Sequence, residues 1–343
     1  MGGCYSYGES CCSRSRYDSK ASVKKTLKKF FETKDIELLT EAYKDYEDLG
    51  FNSGFFRFLM EYQGVDEAPK EFSDTEIESK LEILLVNTNK KFKKEPEAEK
   101  ILDALEFPPT KSAQYIKDAV NKTSTGNNSF FGTDDGEEKF VIIEKCGGWY
   151  LKEKGPVEDY NYGIPGEQIV LRRKESRVPT DPLKVAQTLM EKYADKNIRY
   201  QGTITKTKSD AFFINTSTGR MYGVTVSDSK VDNRRQLQLE LEYAGYIPGF
   251  DIDLDNERSI VEDIVNINKQ VLLLYNDIKI ARGWKVQFRP TCERKYDFVL
   301  GNAKSLPEPK LETMLALPGT TPQSVWALSE EDAKEVYEEA LVR

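Results

Sequence analysis

The sequence predicts an α+β protein in which a small helical N-terminal module precedes a long set of β-strands with flanking helices. Three observations carry that expectation. Between Ser22 and Gly64 apolar residues recur at helical spacing. Past residue 72 the pattern changes to runs with a period of two, and along several of these the polar positions are ionised, one sign prevailing in each run.

In the module, Val23, Leu27, Phe30 and Phe31 fall at i, i+4, i+7 and i+8, and Ile36, Leu39, Tyr43 and Tyr46 repeat the period until Gly50. A third cluster, Phe55, Phe56, Phe58, Leu59 and Tyr62, ends near Gly64, and "DEAPKEFSD" reads as a linker. Strand-like runs follow at 75–86, 139–146, 149–154, 167–175, 199–208, 210–215, 220–227, 236–243, 284–289 and 294–300. Helices are expected at 95–106, 182–194 and 257–275, where Ile260, Ile264, Ile267 and Val271 share a stripe. The segment 121–137, "NKTSTGNNSFFGTDDGE", reads as a polar loop closed by Asp135-Gly136. A last helix, Glu330 to Leu341, starts after Ser329 with Asp332 three positions on. The resulting division is a disordered tail at 1–21, the helical module at 22–64, a strand-rich domain at 72–303 and a C-terminal extension at 304–343.

Composition removes several kinds of chemistry. The 343 residues contain no histidine, which excludes Ser-His-Asp and Cys-His mechanisms and leaves carboxylates, lysines, arginines or a metal to act. A net charge of −8 argues against a general nucleic-acid binder. Five cysteines, an odd number without zinc-type spacing, fit a reduced cytoplasmic setting, and three of them (Cys4, Cys11, Cys12) have no Asp, Glu or His partners suited to a metal. No run approaches the length of a membrane span. The start, "MGGCYS", fits the pattern for N-myristoylation at Gly2 with Cys4 placed for a second acyl chain, and basic residues follow up to Lys29. In a eukaryotic host residues 1–29 would thus make a peripheral membrane contact; the same segment also reads as a plain Ser/Cys/Tyr-rich tail.

The charged runs point to one interior. "FSDTEIESKLEIL" places Glu76, Glu78 and Lys80 at alternate positions, although Ile77, Leu81, Leu84 and Leu85 also permit a helix. "RQLQLELEYAG" permits no helix: Leu237, Leu239, Leu241 and Tyr243 alternate strictly with Gln238, Glu240 and Glu242. Between these acidic strands lie Lys152 and Lys154, Arg172 and Lys174, Lys206 and Lys208, and Arg220. Any one pair alone reads as a solvated sheet edge. Together, in a closed barrel, they would line one lumen wide enough for a single small ligand. Buried charges need partners, and the partner implied is a polyanion with a divalent metal. Basic groups would clamp phosphate oxygens, while Glu76, Glu78, Glu240 and Glu242 would hold Mg²⁺ or Mn²⁺.

"EIESK" resembles the Glu-x-Glu-x-Lys signature of the CYTH, or triphosphate tunnel metalloenzyme, superfamily, and "QLELEY" is similar to its closing acidic strand. The resemblance spans residues 72–300 in motif order, with Lys295 in "RKYDFVL" matching a late lysine. It implies a closed eight-stranded antiparallel β-tunnel that binds a triphosphate. The expected activity is metal-dependent hydrolysis of the terminal phosphate of inorganic tripolyphosphate or a nucleoside triphosphate, with Glu76, Glu78 and Lys80 at the reacting centre. Lys152, Lys154, Arg172, Lys174, Lys206, Lys208, Arg220 and Lys295 are the expected phosphate contacts. The alternatives are an RNA 5′-triphosphatase, an adenylyl cyclase of class IV type and a non-catalytic polyphosphate-binding module.

Overall fold

The computed structural model describes residues 12–50, 54–72, 74–105, 115–133, 138–145, 148–156, 158–160, 170–180, 198–253, 256–291 and 293–301. Its strands are β1 (Thr75–Asn87), β2 (Tyr115–Gly132), β3 (Glu138–Lys145), β4 (Gly148–Lys154), β5 (Glu158–Tyr160), β6 (Val170–Thr180), β7 (Arg199–Asn215), β8 (Arg220–Val231), β9 (Arg234–Tyr246), β10 (Lys279–Ala281) and β11 (Trp284–Pro290). The helices are α1 (Cys12–Thr33), α2 (Ile36–Asp48), α3 (Phe55–Tyr62), α4 (Ala98–Ala104), α5 (Glu257–Tyr275) and α6 (Lys295–Leu300).

Eight strands close on themselves in the order β1-β9-β8-β7-β2-β3-β4-β6 and back to β1. All the pairings are antiparallel, and the closing one sets Thr75–Ser79 against Lys174–Val170. β1 then exchanges partners on that edge: from Leu81 onward it pairs with β11 instead of β6.

Small barrels usually fill their interior with apolar side chains. Here the main core lies outside the wall. Ile77, Leu81, Val224, Val226, Leu239 and Leu241 face outward and pack under α4 and α5, where Ile101, Leu102, Ile260, Ile264, Ile267 and Val271 are buried with them. The alternation read in the sequence therefore has its apolar side turned to the helices and its charged side to the lumen. A second cluster joins the helical module to the barrel: Val23, Leu27 and Phe30 of α1, Leu39 and Tyr46 of α2 and Phe55 and Leu59 of α3 pack on Ile116, Ile214, Met221, Ile247 and Phe250. Gly219 makes that seat possible, since it has φ +72° and a Cβ there would lie 2.5 Å from the Phe250 ring.

Four expectations are corrected. Residues 115–132 form strand β2, including most of the expected polar loop, because its inward side carries Ser124, Gly126 and Asn128 and so lacks the apolar alternation that announces a strand. The run 294–300 is helical from Lys295; it buries Tyr296, Phe298 and Val299, and the Asp297 carboxylate accepts from the Arg294 backbone N–H at 3.0 Å at its start. The runs 199–208 and 210–215 are one strand, β7. Helix α1 begins at Cys12, within the expected tail, because its apolar period starts only at Val23 and the first turns give no sequence signal. The expected helices at 182–194 and 330–341, Gly2, Cys4, Cys11 and the extension 304–343 lie outside the described residues.

Arg220 ties three parts of the fold together. Its guanidinium pairs with Glu71 through two bonds of 3.1 and 2.9 Å, donates to Ser259 Oγ at 2.6 Å and to the Asp253 carbonyl at 2.9 Å, and Tyr243 adds a hydroxyl bond to the same carboxylate. Both ionic side chains are out of water, at 1% and 0% exposure. Removing one partner of such a pair leaves an uncompensated buried charge. R220A should therefore lose about 3–5 kcal/mol of stability in urea denaturation; an unchanged midpoint would contradict the latch.

Candidate active site

Strand register aims the charged side chains. On β1, Glu76, Glu78 and Lys80 take the inward positions; on β9, Gln238, Glu240 and Glu242 do. Glu78 stands directly opposite Glu242, and Lys80 opposite Glu240. Lys206 and Lys208 enter from β7, Lys152 and Lys154 from β4, and Lys295 from the first residue of α6. They surround a cavity of about 170 Å³ within the barrel.

Two electrostatic halves result. On the side of β4, β6 and the start of β1, Arg173 bonds Glu76, lies 3.1 Å from Glu138 and 3.8 Å from Glu78; Lys152 pairs with Glu175, and Lys154 lies 3.6 Å from Glu138 and 3.7 Å from Glu175. With Glu242, that side holds five carboxylates against Lys152, Lys154 and Arg173. On the other side cations prevail: Glu240 accepts from Ser227 at 2.8 Å, from Lys206 at 3.4 Å and from Lys295, while Lys80 bonds Glu78 from the position opposite Glu240. Lys208 lies 2.8 Å from Asp210.

Protonation follows this division. Burial and the nearby charge of Glu76 push the Glu242 carboxyl up to about 7. Burial also acts on Glu76, but Arg173, Lys154 and Lys152 outweigh it and hold that carboxyl well below its usual range. Burial, with Lys208 and Lys152 adding repulsion, lowers the Lys206 ammonium to about 7 despite Glu240 nearby. Lys295 is lowered well below the ordinary lysine value by burial and by Lys206 and Lys80.

The structure brings Glu76, Glu78, Lys80, Lys152, Lys154, Lys206, Lys208, Glu240, Glu242 and Lys295 to the cavity. It does not bring Arg172, Lys174 or Arg220 there. The register Glu76↔Arg173 gives Arg173 the inward parity on β6 and turns its neighbours outward. Arg172 lies 3.1 Å from Glu257 at the start of α5, Lys174 donates to Thr75 Oγ1 at 3.0 Å, and Arg220 belongs to the Glu71 latch. The sequence leaves open which of Arg172, Arg173 and Lys174 faces inward, because Leu171-Arg173-Glu175 and Val170-Arg172-Lys174 alternate equally well. Glu138 was hidden by a bulge: Phe131 pairs with Phe140 but Gly132 with Glu138, so the register slips by one residue and Glu138 turns inward. Lys145 and Arg294 also line the cavity.

No family model matches the sequence, and no curated protein matches it. Among solved structures the chain is similar to an adenylyl cyclase-like protein from Hippeastrum, HpAC1, described as having a dominant triphosphatase activity, at 15% identity and TM-score 0.36, covering 68% of this chain and 98% of that one. It is also similar to the RNA triphosphatase Pct1 of S. pombe in complex with the Spt5 CTD, at 11% identity and TM-score 0.27, covering 64% and 86%, and to Pct1 alone at 11% and 0.25, covering 63% and 81%.

The raised Glu242 gives a stability test. In the folded metal-free protein this carboxyl binds its proton up to about 7, against 4.5 for an ordinary glutamate, so the folded state holds more protons within that window. Stability contributed by this residue is present below about 4.5 and is lost as pH rises through about 7. In EDTA, wild type should lose stability relative to E242Q between these limits in urea titrations; parallel pH profiles would contradict the assignment.

Proposed function

We propose that the lumen binds a triphosphate and, with a divalent cation, hydrolyses its terminal phosphoryl bond, acting on inorganic tripolyphosphate or a nucleoside triphosphate. The observation that carries this is the convergence of acidic and basic side chains on one cavity inside a closed barrel whose apolar core lies outside the wall. A charged lumen walled by β-strands fits a small polyanion; it does not fit an apolar ligand.

The residues suit a hard cation in part. Glu78 and Glu242 oppose one another with Glu76 two positions along, and burial beside Glu76 raises the Glu242 carboxyl, which makes Glu242 the least compensated of the three. Among the described residues no three acidic side chains are already gathered as a ligand set. Arg173 and Lys80 hold Glu76 and Glu78. Glu76, Glu78 and Glu242 would hold Mg²⁺ or Mn²⁺, and Glu240, enclosed by Lys206 and Lys295, would contribute least of the four. A cation held there would supply charge neutralisation to the phosphate groups.

The chain's own groups do the remaining work. Lys80, Lys206, Lys208 and Lys295 offer ammonium groups to phosphate oxygens, and arrival of a polyanion favours protonation of Lys206 and Lys295. The low dielectric of the lumen strengthens each contact at the position where charge builds up. Water then breaks the terminal P–O–P link, giving orthophosphate and the shortened phosphate chain. Such chemistry needs positioning and neutralisation more than an acid or a base, which suits a protein with no histidine.

One observation supports a second reading. Lys152, Lys154 and Arg173 are already neutralised by Glu175, Glu138 and Glu76, and a saturated ion network suits a polyphosphate-binding module without turnover. Purified protein with Mg²⁺ or Mn²⁺ and tripolyphosphate, ATP or triphosphorylated RNA separates the two readings: orthophosphate release supports the hydrolase, pyrophosphate release from ATP a cyclase, and tight binding without products the module.

E78A and E242A should each abolish metal-dependent orthophosphate release while keeping the folded circular-dichroism spectrum, with E240A reducing it less, and full activity in the first two would refute the site. K206M should raise KM about tenfold or more through loss of one charged contact. R172A, whose side chain faces α5, should leave KM unchanged.

A further inference from the structure

One end of the barrel is closed by α6. At the end where β8 finishes and β9 begins, the inward residues Phe130, Val141 and Ile204 pack with Val231 against Tyr296, Phe298 and Val299. The segment leading into α6 is fastened across this end from two strands. The Thr291 N–H donates to the Lys80 carbonyl at 3.1 Å, the Gln238 amide to the Glu293 carbonyl at 2.8 Å, and the Gln236 amide to the Glu293 carboxylate at 2.6 Å. The Arg234 guanidinium lies 4.7 Å over the Phe298 ring and donates to the Phe298 carbonyl. Gln236 and Gln238 share the inward parity of Glu240, so the segment they hold crosses the end of the barrel instead of lying beside the wall. Arg294 and Lys295 then reach into the cavity from the same segment. Among the lysines side-chain exposure falls from 34% at Lys208 to 16% at Lys206 and 11% at Lys295, while Arg294, whose guanidinium donates to Asp297 at 2.9 and 2.6 Å, is 25% exposed.

We infer that α6 stoppers the barrel, making the lumen a blind pocket whose closed end carries Lys295 and Arg294, and which takes a phosphate chain only by a free end. The inference rests on the triphosphate reading above and narrows its substrate class. The ligand must carry an unmodified terminal phosphate, which meets Arg294 and Lys295, while whatever else it carries stays outside the opposite mouth. A long polyphosphate cannot thread through, and internal phosphates are out of reach.

The test is a binding stoichiometry in EDTA, read by analytical ultracentrifugation with long-chain linear polyphosphate as the probe and tripolyphosphate as the displacer. The expected result is no more than two displaceable protein molecules per chain, one at each end, however long the chain. ATP bearing a bulky ester on its γ-phosphate should bind at least tenfold more weakly than ATP. The double variant Y296A/F298A should let longer chains collect more than two molecules. If tripolyphosphate itself fails to bind both in EDTA and with Mg²⁺, the triphosphate reading falls and this inference with it. If tripolyphosphate binds while wild-type protein accumulates along the chain beyond two copies, or the γ-ester keeps full affinity, the stopper alone is overturned. Should the double variant not fold, the wild-type stoichiometry and the ester still decide.

Discussion

The pairing of Thr75–Ser79 with Val170–Lys174 is the contact on which the site depends. Without it the strands form an open sheet whose two charged walls face water, and the electrostatics of the lumen disappear into bulk dielectric. With it, Glu76 stands opposite Arg173, and the acidic strand β1 lies between the second acidic strand β9 on one edge and the cationic strands on the other. Closure also removes the exposed edges that an eight-stranded sheet would otherwise present.

A polar interior is costly, and the fold offsets it in two ways. The apolar burial that stabilises the domain has moved to the outer face, where α4 and α5 cover β1, β9, β8 and β7. Inside, most carboxylates have a cation within reach, so the charges are compensated in place. Compensation is uneven, however: Glu242 faces Glu78 across the ladder, and Lys206 sits among other ammonium groups. These two mismatches lie on β9 and β7, with β8 between them, and a bound pair of opposite charges would relieve both.

How much of this the sequence revealed depends on whether a residue belongs to an unambiguous alternation. β9 could be read in full because Leu237, Leu239 and Leu241 fix the parity of Glu240 and Glu242. β6 could not, since both of its faces begin with an aliphatic residue and continue with charge, and only the pairing across to Glu76 selects Arg173 over Arg172. Glu138 was beyond any periodic reading, because a bulge reverses the face that counting would assign. β2 was missed for a related reason: a wall lining a wet lumen needs no apolar side inward, and a strand of Ser, Gly and Asn looks like a loop. Arg220 shows the opposite error, a buried arginine that fits the charged pattern but whose partner, Glu71, comes from the linker.

β1 has a further consequence through its outer face. Ser79, between two of the inward charged residues, is bonded to Asn268 of α5, and beyond Leu81 the strand is held by β11. The backbone that carries Glu76, Glu78 and Lys80 is thus clamped from behind and continued into a second ribbon. Any exchange of ionic partners within the lumen must then come from side-chain rotation over a stationary frame, a motion of picoseconds to nanoseconds when unhindered, in contrast to the slower hinge or lid movements by which many enzymes admit their ligands.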